Sequence, residues 1–391
     1  MNKIRTGVKY NFVKLIVVLA VVIISISSLC KKKTDENDNY LEPVNVSNDS
    51  GCSENPSVAI DSRNTVHLVW DDDTPGNEEI LYAFKPEGGN WLTPVNISNN
   101  PQSSRNPCIA VDNNDELHIA WQQWIDGRGW VILYSYKSSA GNWMTPETIS
   151  GEYMYVCPKI AVDNIGNIHI TWSYGGYYTG IRYVMKTNQG TWTPQITIAE
   201  PAINYNSVFT VDAEKNVHLI WSKTKDDYSA SDIFYSMKSE NGTWSQPENI
   251  SNTGQVLGSY SIIADNQRNI HCVWADMSLP YLTPRTFYRA KRPDGTWTTP
   301  LPPCTLRKVW LTSELAVGPQ NDLYIAGGDS ARLLYIIKPQ GQAFSDTNLV
   351  GVVNKLFSLW KLVCDNNGVL HFVWERDEDI YWISYNPNPR R

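Results

Sequence analysis

The chain has 391 residues, with 33 lysine and arginine residues against 40 aspartate and glutamate residues, so its formal charge is −7 at pH 7. An acidic balance of this size disfavours nucleic acid and anionic membrane surfaces as partners. Aromatic residues make up 12% of the chain, including 16 tryptophans, and their regular spacing already points to a repeated structure.

The N-terminal segment predicts export. Basic residues precede the apolar run LIVVLAVVIISISSL, which ends at Cys30, and this order is typical of a secretory signal. The run resembles a bacterial lipoprotein signal, which implies that Cys30 is lipidated, while Leu29, where a small residue is usual, keeps an uncleaved membrane anchor as the alternative. We expect a signal over 1–30, a polar tether over 31–38, and an extracytoplasmic protein of the bacterial cell envelope, periplasmic or at the outer membrane or cell surface. The basic residues are Lys3, Arg5, Lys9 and Lys14.

One phrase recurs along the rest of the chain: an apolar strand that ends in aspartate, a short turn, then a histidine and a tryptophan. Examples are SVAIDSRNTVHLVW (57–70) and KIAVDNIGNIHITW (159–172). The period is close to fifty residues, which indicates propeller blades or long solenoid units. Each period contains four short strands rich in β-branched and aromatic residues, so we predict an all-β propeller. The residue that ends the first strand of each repeat, here called the phase marker, is Asp61, Asp112, Asp163, Asp212, Asp265, Gly318 or Asp365.

The two ends of the chain predict the number of blades. The last repeat stops after its third strand, and NYLEPVNVSND (39–49) is nearly a copy of NWLTPVNISNN (90–100), the outer strand of the first repeat. Six complete repeats and one split between the ends make seven four-stranded blades over 39–391. The N-terminal strand then completes the last blade and leaves no unpaired partner.

The repeated residues are predicted to be structural and none is expected to be catalytic. Every histidine lies six residues after the marker aspartate, whereas a general base or ligand is needed only once. The sixth repeat lacks both the aspartate (Gly318) and the histidine (Tyr324), which predicts an Asp–His hydrogen bond or a shared polar network inside each blade. Eleven tryptophans at two repeated positions predict packing between blades. The histidines are His67, His118, His169, His218, His271 and His371.

The pattern P-x-I-A-V-D-x-x-G-N-I-H-I-x-W, followed by I-x-Y-x-x-K and G-T-W-x-x-P, resembles the sialidase-like, Asp-box (bacterial neuraminidase) repeats over about residues 39–386. In a full Asp-box the tryptophan is three residues after the glycine, but here Trp192 is only two residues after Gly190. Of the corresponding hairpins in this chain, only the one with Asp294 has the aspartate carboxylate of the motif. For a sialidase the resemblance implies three arginines, a tyrosine activated by a glutamate, and an aspartate acid/base. The inner strands contain no arginine, and Arg105 and Arg307 fall in connecting loops. The resemblance therefore predicts the architecture rather than the activity.

The loops that follow strand two and join the blades differ between repeats, and propellers usually bind ligands there. They carry aromatic residues outside the repeated positions, which suit sugar faces or protein hot spots. Tyr205 and Tyr260 belong to the same group of loop aromatics. The predicted ligand-binding residues are Trp124, Trp130, Tyr153, Tyr155, Tyr174, Tyr177, Tyr178, Tyr228, Tyr281 and Trp310.

These observations favour a monomeric, non-catalytic module that binds a glycan or a protein, with a lipid anchor in the membrane and no cofactor. One alternative is a carbohydrate-active enzyme, which needs two carboxylates about 5–10 Å apart. The acids after strand two are numerous enough, but we expect most to form a solvated rim. A second alternative is a structural scaffold of an envelope complex. The acids are Asp71, Asp72, Asp73, Asp126, Asp226, Asp227, Asp276, Glu375, Asp377, Glu378 and Asp379.

Six cysteines follow Cys30, an even number that permits disulfides outside the cytoplasm. Cys52, Cys108 and Cys157 fall at or near the start of neighbouring inner strands, so one pair among them is expected. Cys272 and Cys364 occupy apolar strand positions and are expected as buried thiols. No cysteine or histidine spacing predicts a metal site.

Overall fold

The computed structural model describes residues 42–138, 141–151, 156–174, 180–199, 207–224, 231–276, 285–302, 313–328, 332–353 and 358–388. Regular structure within these ranges is β-strand. Across the same ranges, no helix is long and apolar enough to cross a membrane. The expected signal, the tether and Cys30 lie outside the described residues and stay predictions.

Strand β1 spans Val44–Asn45. Blade 1 comprises β2 (Ser53–Ile60), β3 (Val66–Asp72), β4 (Glu79–Lys85) and β5 (Val95–Asn96). Blade 2 comprises β6 (Ser104–Val111), β7 (Leu117–Ile125), β8 (Gly129–Lys137) and β9 (Glu147–Thr148). Blade 3 comprises β10 (Val156–Val162), β11 (Ile168–Tyr174), β12 (Gly180–Lys186) and β13 (Ile196–Ala199).

Blade 4 comprises β14 (Ser207–Val211), β15 (Val217–Thr224), β16 (Ser231–Lys238) and β17 (Glu248–Asn249). Blade 5 comprises β18 (Val256–Ala264), β19 (Ile270–Asp276) and β20 (Arg285–Lys291). Blade 6 comprises β21 (Ser313–Val317), β22 (Leu323–Gly328), β23 (Arg332–Lys338) and β24 (Asn348–Val352). Blade 7 comprises β25 (Ser358–Cys364), β26 (Leu370–Arg376) and β27 (Asp379–Tyr385), completed by β1.

The described residues thus form an all-β propeller of seven antiparallel sheets, as the sequence predicts. The first strand of each repeat lies innermost, against the first strands of the neighbouring blades. In blade 5 an isolated bridge between Tyr288 and Leu301 stands where the other blades have a fourth strand.

The split blade closes the circle as predicted. Val44 pairs with Trp382 in β27, and the Val46 amide donates to the Ile380 carbonyl at 2.7 Å. The Ser47 hydroxyl donates to the Asp379 carboxylate at 2.9 Å. The N-terminal strand therefore supplies both backbone and side-chain bonds to the last blade.

Tryptophans fill the space between blades, which confirms the packing prediction. The second strand of a blade is buried on both faces, as the fully buried pattern of β3 shows, because another blade covers each face. The strand-four tryptophan of one blade packs edge-on against a strand-three tyrosine of the preceding blade, as Trp244 does on Tyr183 with ring centroids 5.5 Å apart. The strand-two tryptophans, at most 2% exposed, are Trp70, Trp121, Trp172, Trp221, Trp274 and Trp374.

The predicted Asp–His hydrogen bond is present in blades 3, 4, 5 and 7, where histidine Nε2 lies 3.1–3.4 Å from the aspartate Oδ2. The direct hydrogen bond is absent from blades 1 and 2, where the distances are 3.5 Å for His67 and 3.9 Å for His118. Sequence reasoning also missed the second partner. In blades 1 to 5, Nδ1 lies 2.8 Å from a strand-three tyrosine hydroxyl.

The cysteines correct another expectation. Cys52, Cys108 and Cys157 are free thiols, so the expected disulfide among them is wrong. Cys272 is buried as predicted, whereas Cys364 is only partly buried. The hydrogen-bonded repeat and the apolar contacts between blades therefore carry the fold in the described part of the chain.

Candidate binding face

The two ends of the strands differ. The marker aspartates and their turns lie at one end, which we call the turn face. The connections from strand two to strand three, and from each blade to the next, lie at the other end, which we call the variable face. Seven of the ten predicted ligand-binding residues fall outside the described residues, and so does Tyr205. Those seven are Tyr153, Tyr155, Tyr177, Tyr178, Tyr228, Tyr281 and Trp310.

The structure brings Trp124 and Trp130 together on the variable face of blade 2. They are cross-strand partners in β7 and β8, with ring centroids 5.6 Å apart and planes at 74°. Trp124 is 40% exposed, and its Nε1 donates to the Asp126 carboxylate at 3.1 Å. Gly127 turns the chain between the two strands at φ +77°, a conformation that other residues adopt with strain. One aromatic edge is thus presented to solvent and held by its neighbours.

Arg105 adds a cation to this pair. Its guanidinium lies 5.8 Å from the centroid of the Trp130 ring and forms an ion pair with Glu78 of blade 1. Arg105 belongs to the start of the inner strand β6, so the expectation that it lies in a connecting loop is wrong. Arg307 is outside the described residues.

A polar network fixes the base of the Trp124 hairpin. Asn100 and Gln123 exchange two amide hydrogen bonds of 2.9 and 2.8 Å. The Trp124 amide donates to the Ser103 carbonyl at 2.8 Å, which ties the hairpin to the loop that enters blade 2. A site held this way in advance loses little conformational entropy when it binds.

Tyr174 lies at the junction of blades 2 and 3. It ends β11 opposite Gly180, and a Cβ on that glycine would come within 2.6 Å of the tyrosine ring. The Arg182 guanidinium lies 4.8 Å from the ring centroid. Tyr174 and Trp130 pack against the same apolar cluster, which places both at this junction.

Tyr260 is not part of a binding surface. Its side chain is only 7% exposed, and its hydroxyl accepts the Ser222 amide N–H at 3.2 Å. The loop position that suggested exposure becomes part of the extended inner strand β18.

Several acids predicted for a solvated rim are buried, so that prediction is wrong for Asp71, Asp72 and Asp276. Asp71 accepts the Asn106 amide N–H at 2.9 Å and the Asn55 side-chain amide at 3.3 Å, and burial raises its pKa to about 7. One Asp71 oxygen thus accepts a backbone N–H and the other a side-chain amide, and Glu375 accepts the backbone N–H of Asn55 at 2.6 Å. The exposed acids that fit the prediction are Asp73, Asp126, Asp377 and Glu378.

The central channel carries a charged group that sequence reasoning missed. The residue four positions before the phase marker is Lys159 in blade 3, Glu314 in blade 6 and Lys361 in blade 7. Lys361 Nζ lies 3.1 Å from Glu314, which also accepts the Ser261 hydroxyl at 3.2 Å. Burial lowers the pKa of Lys159, and the charge of Lys361 lowers it further. Aligning the repeats at this one phase would have revealed the set.

No family model and no curated protein matches this chain. In structure it is similar to the BP39L lectin from Burkholderia pseudomallei, with a TM-score of 0.64 and 13% identity over 86% of this chain and 99% of the lectin. A polysaccharide lyase of family PL25, an ulvan lyase bound to -[GlcA(1-4)Rha3S]-, has a TM-score of 0.59 and 11% identity over 87% and 95% of the two chains. The Hadza microbial sialidase Hz136 has a TM-score of 0.52 and 10% identity over 86% and 66%.

At this identity the likenesses show the fold alone. The chain is a seven-bladed β-propeller structurally similar to a lectin, a polysaccharide lyase and a sialidase.

Proposed function

We propose that this propeller is a non-catalytic glycan-binding module whose site includes Trp124 and Trp130 on the variable face of blade 2. The observation that carries the proposal is the exposed Trp124 ring, held at 5.6 Å from Trp130 and anchored at its base by the Asn100–Gln123 amide pair. A flat aromatic face with polar edges matches the apolar face and equatorial hydroxyls of a sugar ring. Arg105 and Asp126 supply a donor and an acceptor beside it.

Three further points support a glycan rather than a protein partner. The solved structures with this fold include a lectin and two enzymes that act on glycans. The aromatic pair is small and rimmed by polar side chains, which suits a sugar better than a broad protein interface. Trp130 and Tyr174 pack on one cluster, so a chain of several sugars can extend from blade 2 towards blade 3.

The test is binding of the purified chain to a panel of immobilised neutral, sialylated and uronic-acid-containing oligosaccharides. Trp124→Ala should lower the affinity for any bound member by about tenfold or more, because an exposed aromatic anchor is lost. Leu92→Ala is the matched control, since Leu92 is 46% exposed in the segment that precedes the outer strand β5 of the neighbouring blade. Equal affinity of Trp124→Ala and wild type, or a stoichiometric protein partner without glycan binding, would contradict the proposal.

A carbohydrate-active enzyme is the second candidate, and Lys159 is the observation that favours it. Burial lowers the pKa of Lys159, which favours the neutral amine that a general base needs. The same panel separates the two functions. Product release by wild type that Lys159→Gln abolishes would replace the binding proposal with this one.

A further inference from the structure

The turn of blade 2 departs from those of the three blades that follow it. In blades 3, 4 and 5 an asparagine four residues after the marker aspartate donates its amide to the aspartate Oδ2 at 2.7–2.9 Å. The histidine Nε2 shares that oxygen. In blade 2 this position is Glu116, whose carboxylate has no hydrogen to donate. The three asparagine bonds are Asn167 to Asp163, Asn216 to Asp212 and Asn269 to Asp265.

His118 lacks the aspartate hydrogen bond that the histidines of blades 3, 4, 5 and 7 make, and it shares this lack with His67 of blade 1, whose Nε2 lies 3.5 Å from the Asp61 carboxylate. Blade 1 has Thr65 where blade 2 has Glu116, so blade 2 differs from blade 1 in placing a second carboxylate beside the histidine.

His118 Nε2 lies 3.9 Å from Asp112 Oδ2 and makes no hydrogen bond in the described part of the molecule, although the side chain is only 5% exposed. Nδ1 keeps its contact with the Tyr134 hydroxyl at 2.8 Å. A buried ring nitrogen with no partner is costly, so this one calls for a ligand.

Two carboxylates surround that nitrogen. One oxygen each of Asp112 and Glu116 and the His118 nitrogen all lie within 4.8 Å of one another. Within the described residues neither carboxylate forms an ion pair with a lysine or arginine. Lys186, which lines the same cavity, is paired with Glu147 at 2.6 Å. Asn114 donates to both oxygens of Asp112, at 2.8 and 3.2 Å, so the group without a partner is His118 Nε2. A cation between the two carboxylates would give that nitrogen a partner and offset the two negative charges.

We propose that Asp112, Glu116 and His118 bind a divalent transition-metal ion of the Zn²⁺ type. With bonds of about 2.0–2.2 Å, two ligand atoms of one ion lie at most about 4.2 Å apart, and the His118–Asp112 distance already fits. The remaining oxygen needs only a small side-chain adjustment. Calcium fits less well, because it takes six to eight oxygen ligands and a buried imidazole is not among them.

The surroundings suit such an ion. The three ligands line an open cavity of about 300 Å³ between blades 2 and 3, so water or a substrate oxygen can complete the coordination. Tyr134 would accept the Nδ1 hydrogen and fix the histidine so that the Nε2 lone pair points to the metal. Asp115 takes no part, since Ser62 of blade 1 donates to both of its oxygens.

The probe is Zn²⁺ itself, measured by equilibrium dialysis of the full chain after treatment with a chelator. Wild type should bind one equivalent, and Glu116→Asn should lower the affinity at least about tenfold. This variant recreates the Asp–Asn–His set of blades 3 to 5, so it should fold. The reciprocal Asn167→Glu variant, which gives blade 3 the same three ligands as blade 2, should bind a second equivalent of Zn²⁺. Co²⁺ should give visible absorption bands in wild type that Glu116→Asn lacks.

The control is Asp115→Asn, which removes a carboxylate from the same turn without touching the ligand set and should bind Zn²⁺ like wild type. Absence of Zn²⁺ binding by wild type would overturn the proposal. So would equal affinity of Glu116→Asn and wild type, or an Asp115→Asn variant that loses as much affinity as Glu116→Asn.

Discussion

The strand-three tyrosine serves two neighbours at once. In blade 3 the Tyr183 hydroxyl lies 2.8 Å from His169 Nδ1, while the ring packs edge-on against Trp244 of blade 4. Because His169 Nε2 faces the Asp163 carboxylate, Nε2 carries the proton and Nδ1 accepts the tyrosine hydrogen. One side chain therefore satisfies a buried imidazole and contributes to the interface between blades.

Tyr183→Phe should destabilise the protein by about 1–3 kcal/mol, because it leaves His169 Nδ1 buried without a partner while the ring contact with Trp244 persists. The measurement is the free energy of unfolding in urea. Tyr136→Phe is the control, since the Tyr136 hydroxyl makes no hydrogen bond in the described part of blade 2. Equal losses in the two variants would show that the hydroxyl contact is unimportant.

At the residue scale the sequence predicts that the aspartate and the histidine of a blade interact, because they lie six residues apart in every intact repeat. It does not predict the tyrosine. Tyr183 is 14 residues from His169, and only the pairing of β11 with β12 brings them together. In blade 7 Trp382 replaces the tyrosine, and His371 Nδ1 has no hydrogen-bond partner among the described residues, so the bond also varies between blades.

At the scale of strands, the junction between the two ends of the chain depends on a few apolar contacts. Val46 is 6% exposed and packs in a cluster with Trp382 of β27 and Val58 of β2, so it joins blades 7 and 1. Val44, two residues earlier, is 42% exposed. The near-identity of 39–49 and 90–100 was enough to predict this strand. The bulges at the starts of the inner strands were not predicted, because side chains of the preceding blade stabilise them, as Asp71 does for Asn106.

Val46→Asp should cost at least about 3 kcal/mol of stability, because it buries a carboxylate in an apolar cluster at the closure of the ring. Val44→Asp, on the same strand but facing solvent, should cost less than about 1 kcal/mol. Thermal unfolding followed by tryptophan fluorescence compares the two. Similar melting temperatures for both variants would contradict the assignment of this segment to the last blade.

For the molecule as a whole, ring geometry explains why the fold was predictable and the site was not. The number and order of the strands follow from the repeat of about fifty residues, and that repeat can be recognised from the sequence. The Lys361–Glu314 ion pair joins blades 7 and 6, and Trp130 of blade 2 and Tyr174 of blade 3 pack against one apolar cluster. Neither contact can be predicted from the spacing of residues in the sequence, because each depends on which positions of different blades come together when the ring closes.

The repeated Asp–His unit makes stability depend on pH in two windows. Burial lowers the pKa of His67 to about 4. The unfolded ring has a pKa near 6.5, so the stability that depends on a neutral ring is present above about pH 6.5 and is lost as the pH falls towards 4. Burial alone would raise the pKa of Asp163, but hydrogen bonds from His169 and Asn167 outweigh it and lower the pKa to about 2. That contribution is present above about pH 4 and is lost between about pH 4 and 2.

Urea unfolding at pH 7.5, 5 and 3 should therefore show a loss of the order of 2 kcal/mol from His67 in the first interval and a further loss from the aspartates in the second. His67→Gln should reduce the loss in the first interval by about 2 kcal/mol and leave the second unchanged, while His118, whose pKa burial also lowers to about 4, keeps the rest of the first loss. Asp163→Asn should reduce the loss in the second interval and leave the first unchanged, because the amide does not titrate, while Asp212, whose pKa is also lowered to about 2, keeps part of the second loss. An unaltered slope between pH 7.5 and 5 in His67→Gln would mean that the ring is already charged in the folded blade, and that burial between blades does not control its proton.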